Sequence, residues 1–122
     1  MFKFFEGKKW LTSVVTVIIA AIIFYISSLS FKGVSTGALS LFYHFLAFFW
    51  FAFFLSITLI SGKRKNLFVV AIILAIIYAI SDEVHQFFVP FRNASISDIL
   101  IDSFGILFFN FIYLLSFRKH GD

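Results

Sequence analysis

Most of the groups able to do chemistry in this 122-residue chain stand in one stretch of its second half. Asp82, Glu83, His85 and Gln86 fall close together, Arg92 follows, then Asp98 and Asp102; His44 stands apart, earlier in the chain. If the first group is helical, Asp82 shares a face with His85 and Gln86, and Glu83 meets Gln86. Asp98 and Asp102, four positions apart, also share a face. A histidine held by a carboxylate serves as acid, base or ligand, so His85, Glu83 and Asp102 are the candidates for a catalytic role. The planar fork of Arg92 suits a phosphate or a carboxylate. His44, Asp82, Gln86 and Asp98 complete the candidate binding set.

Other chemistries are less well served. His44, His85, Glu83, Asp98 and Asp102 offer nitrogen and oxygen donors for a metal. No compact pattern such as His-Glu-x-x-His is present, however, and no cofactor is expected. Ser81, Ser95 and Ser97 lie near His85 without the Gly-x-Ser-x-Gly elbow of a nucleophilic serine. Ser95 and Ser97 read better as helix caps. The chain has no Cys, which excludes disulfides, thiolate sites and a cysteine nucleophile. Asp98 also has a structural reading, since Ser95-x-x-Asp98 fits a capping box. Asp102 is a turn deeper, where capping does not account for it. A carboxylate there costs about 2.5–3.5 kcal/mol on insertion scales unless it faces the bundle or a wet cavity. Arg92 or His85 is its expected counter-charge.

The elements that must position these groups are membrane spans. The chain is 61% hydrophobic and 13% charged, with 21 Phe, too apolar for a small soluble domain with its high surface-to-volume ratio. About 20 mainly apolar residues cross a bilayer core as a helix. Four stretches qualify, at about 11–29, 41–60, 67–89 and 99–117; the third reaches full length only by running through the Asp82–Gln86 block. The apolar runs are continuous rather than alternating, so the expected class is all-α, a four-helix membrane bundle in a single domain over 1–122. The first stretch is longer than the apolar core of a secretory signal, and three more spans follow. Lys3, Lys8, Lys9, Lys63, Arg64, Lys65, Arg118 and Lys119 fall on one side, leaving Lys32 and Arg92 on the other. By the positive-inside rule both ends are cytoplasmic, and the polar block lies at the outer face. The net charge of +4 is thus a topology signal, and no nucleic-acid partner is expected.

The stretch Ser81-Asp-Glu-Val-His-Gln-Phe-Phe-Val-Pro-Phe-Arg-Asn-Ala-Ser-Ile-Ser-Asp98, followed by Asp102 and Gly105, resembles the VanZ-like membrane family. The matching positions are Glu83, His85, Gln86, Phe88, Pro90, Arg92 and Asp98, with His44-Phe45 and the Ser27-Ser28 pair as further elements. The chain departs from the pattern at Phe91, where Gly is common, at Ser40 and Leu41, where Asp-Lys is common, and at Phe48, where Tyr is common. The resemblance implies a multi-pass protein of the bacterial cytoplasmic membrane, in a family named for glycopeptide (teicoplanin) resistance. It implies no particular reaction. The reading that joins resemblance and residues is an outer-face polar site for an envelope lipid or lipid carrier, anionic at Arg92. Two alternatives come from other classes: a small transporter or proton relay, with a homo-oligomer enclosing the path, and a non-enzymatic partner in a membrane complex. A structural ion pair among Arg92, Asp98 and Asp102, with Pro90 setting the turn, is the bland counterpart of all three.

Overall fold

The computed structural model describes residues 2–29, 37–89 and 96–119. Arg92, Pro90, Lys32, Ser95 and the other residues of the two intervening joins lie outside the described residues. A short α1 (Phe2–Glu6) leads into α2 (Lys9–Ser27), α3 (Gly37–Ile60), α4 (Phe68–Phe87) and α5 (Ile96–Lys119), with a 3-10 turn at Lys65–Leu67. No strand occurs among the described residues. At 1.5 Å per residue, helices of 19 to 24 residues reach about 28–36 Å, which matches a hydrocarbon core of about 30 Å. Among the described residues, four helices are therefore long and apolar enough to cross a membrane. The expected all-α four-span bundle is the fold observed. α4 does carry its helix through the polar block, to Phe87.

α3 is the central helix. It packs most extensively on α5 and also on α2 and α4, so that α2 and α5 lie on either side of the α3–α4 pair. Side chains with no room beyond their Cβ make this possible. On α4, Ala71, Ala75 and Ala79 recur every four residues and are fully buried, which lets a neighbouring helix approach closely. On α5, a Cβ at Gly105 would stand 2.7 Å from the Phe45 carbonyl oxygen and 3.2 Å from the Phe49 nitrogen. The backbones of α3 and α5 thus touch at that level. Below it, Phe48, Phe53, Phe109 and Tyr113 fill the interior as buried aromatics.

Residues 2–6 were legible only as a basic flank to the first span. In the fold they form a helix that docks under the bundle. The ring of Phe2 sits 5.1 Å from that of Tyr113, and Phe5 lies 5.5 Å from both Phe53 and Phe54. Tyr113 donates from its hydroxyl to Glu6 Oε2 (2.6 Å) and accepts from the Gly62 N–H (3.1 Å). Gly62 has φ of +73°, a left-handed conformation that glycine adopts freely at the end of α3.

Candidate functional site

Each spanning helix has a stripe that faces the interior, and each stripe changes from apolar to polar at the same end. On α2 the stripe passes from Ile23 to Ser27; on α4, from Ala79 to Asp82, Glu83 and Gln86. α3 carries Phe48 and then His44 one turn nearer that end, and α5 carries Ile106 and then Asp102. The four-residue recurrence that buries the apolar residues therefore also buries the polar ones. Asp102 is 0% exposed, His44 and Gln86 2%, and Asp82 and Glu83 4%, so these are core side chains and not a solvated rim.

Among the described residues, two hydrogen-bonded groups stand out at this end. In the first, Ser27 donates from Oγ to Asp82 Oδ1, while Gln86 donates from Nε2 to Ser27 Oγ (3.2 Å) and to Asp82 Oδ2 (3.3 Å). This closes a buried ring between α2 and α4, in which Ser27 both gives and receives. In the second, His44 Nδ1 lies 2.9 Å from Asp102 Oδ1, and His44 Nε2 lies 3.8 Å from Asp98 Oδ2. With Asp102 ionised and acceptor-only, Nδ1 carries the hydrogen, and the ring is held with Nε2 turned toward Asp98. Asp102 Oδ2 has no hydrogen-bond partner among the described residues. Both groups lie at the same end of the bundle, on helices that pack against one another.

Asp102 was expected to pair with Arg92 or His85, and His85 was expected to lean on a carboxylate. The histidine that holds Asp102 is His44. His85 turns instead to α2, its ring stacked on Phe24 at 4.4 Å and its Nε2 2.9 Å from Ser28 Oγ. Ser28 already donates to the Phe24 carbonyl (2.9 Å), which leaves it to accept from His85 Nε2–H. The reason is helical phase: at 100° per residue, Gln86 stays within about 40° of Asp82, whereas His85 falls about 60° to the other side. His85 is consequently half-buried at the rim while Asp82 and Gln86 face inward. The role given to Arg92 lies outside the described residues. Among those described, no group of three or more His, Asp or Glu side chains is arranged to hold a metal ion.

Some polar contacts had no place in the sequence reading. Ser56 Oγ donates to Asn110 Oδ1 (3.0 Å) in mid-bundle, and Asn110 donates on to the Ile106 carbonyl (2.9 Å). An amide in the middle of an apolar run was the available signal, because such a group needs a partner on another helix. Tyr113 and Glu6 form the third level, at the opposite end.

Four helices of membrane-spanning length, with the buried carboxylates and the buried histidine gathered at one end of the bundle, define a multi-pass helical membrane protein. The chain belongs to the VanZ/LLP1 family, whose model matches residues 8–117. Searches of curated proteins and of solved structures gave no significant match.

Proposed function

We propose that the polar end binds the headgroup of an envelope lipid or lipid carrier in the outer leaflet of the bacterial cytoplasmic membrane. The observation that carries this reading is that all four interior stripes turn polar at the same end of a bundle of membrane-spanning length. Carboxylates and the Gln86 carbonyl accept hydrogen bonds, so this side of the site suits hydroxyl or ammonium groups of a headgroup. Arg92 supplies the opposite chemistry, a fork for the phosphate or carboxylate. The preferred ligand therefore carries an anion and donors together. A link to glycopeptide resistance or envelope upkeep belongs to this reading as its physiological side.

A proton relay is less well supported. Asp102 and Asn110 are eight residues apart, about 12 Å along α5, and buried Phe48, Ala52, Ile106 and Phe109 lie at the levels between them.

Native mass spectrometry of gently extracted protein tests the lipid reading. The wild type is expected to retain a phospholipid or polyprenyl phosphate that Arg92→Ala loses while staying folded. Identical lipids on both would sink the headgroup site and make a partner-protein role the leading reading.

The orientation has its own test, helped by the absence of Cys. A single cysteine at Lys32→Cys should react with an impermeant maleimide on intact cells, and one at Arg64→Cys only after permeabilisation. The reverse pattern would move the site to the inner leaflet.

A further inference from the structure

Next to the polar end, an apolar groove of about 320 Å³ runs between α2 and α3. Ile19, Ile22 and Ile23 line one side; Tyr43, Ala47 and Trp50 line much of the other. Its upper end lies beside the site: the Tyr43 ring is 5.5 Å from that of His44, and Ile23 is one turn from Ser27. Its lower end, at Ile19 and Trp50, is near the middle of the bundle. From Ser40, where the apolar span of α3 starts, Trp50 is ten residues away, about 15 Å and half of a hydrocarbon core of about 30 Å. The groove thus occupies one leaflet only, the leaflet on the polar side.

We infer that this groove seats one hydrocarbon chain of the same lipid whose headgroup engages the polar cluster, an assignment that rests on the function proposed above. Three features select that occupant over another. The groove lies on helices of membrane-spanning length, so what meets it is hydrocarbon. It is lined almost wholly by aliphatic and aromatic carbon, and so offers little to a polar segment. It begins beside the headgroup site, at the Tyr43–His44 ring contact, within reach of the chain of a lipid anchored there.

The groove's contribution is selection rather than drive. A chain moving from surrounding lipid into an apolar groove leaves one hydrocarbon medium for another, so packing fit decides whether it stays. Trp50 and Ile22, 43% and 51% exposed, leave the groove open sideways to the membrane, so a lipid enters without passing through water.

The test uses phosphatidylglycerol with a photoactivatable diazirine midway along one acyl chain, a probe whose headgroup has both a phosphate and hydroxyl donors. Full-length protein in vesicles containing the probe is irradiated, and the labelled residues are mapped. Label concentrated on Ile22, Ile23, Ala47 and Trp50, and reduced about tenfold by Ala47→Trp, supports the seat. Ile22→Trp blocks the same groove from an exposed position and serves if Ala47→Trp does not fold. Label spread evenly over the other lipid-facing residues, such as Val69, Ile73 and Leu107, overturns it. The headgroup reading is judged apart, by Arg92→Ala. If groove labelling survives that substitution unchanged, the groove takes chains without help from the polar cluster, and the coupling asserted here is overturned.

Discussion

His44→Ala is expected to destabilise the protein by about 3–5 kcal/mol, among the largest losses any single substitution here should give. The histidine is buried between α3 and α5, and its Nδ1 holds a carboxylate that is itself fully enclosed. Taking the ring away leaves Asp102 buried with neither of its oxygens hydrogen-bonded by the described residues. A buried charge without its partner costs far more than the pair contributes when intact. The double variant His44→Phe with Asp102→Leu removes both halves and should recover most of the loss. Thermal unfolding in detergent measures all of this. The double variant also separates structure from function: folded and stable, it should still fail to retain lipid. If it keeps the lipid, the pair is only a strut between α3 and α5. If His44→Ala is as stable as the wild type, the pairing of His44 with Asp102 does not hold the bundle.

Gly105→Ala should destabilise by about 1–3 kcal/mol, and Gly105→Val by more. The sign is the informative part, because alanine is worth about 1 kcal/mol more than glycine in a helix interior and would otherwise stabilise α5. Here the added methyl meets a backbone carbonyl at 2.7 Å, and no rotation of a side chain relieves it. α3 and α5 must move apart, and the level that opens is one turn from Asp102. Gly7→Ala is the control, since a Cβ there meets nothing within 4 Å. Comparable stability for Gly105→Ala and the wild type would mean that the close approach of α3 and α5 is not a requirement of the fold.

The spans could be read directly because a bilayer imposes a length, and a run such as 41–60 satisfies it without any knowledge of its neighbours. The location of the polar side chains followed from connectivity, since alternating spans bring the ends of the first and third to the starts of the second and fourth. Partnerships were a different matter. His44 and Asp102 are 58 positions apart, and their meeting depends on which helices adjoin and on how each is rotated about its axis. His85 shows the same limit at short range: a spacing of three from Asp82 allows a shared face, but packing against α2 turned the ring to Ser28 and Phe24. α1 escaped for another reason. Five residues are too few to display a helical period, and only the docked aromatic rings reveal that the segment is folded.

That docking bears on the order in which the protein is assembled. Glu6 and Tyr113 lie 107 positions apart, so the acceptor emerges from the ribosome long before its donor exists. Gly62, which shares the same phenol, comes from the turn between the second and third spans. The clasp can therefore close only once the fourth span has been made. A nascent chain stalled before the fourth span would leave Phe2 without the rings of Phe109 and Tyr113, while Phe5 would keep those of Phe53 and Phe54 on α3.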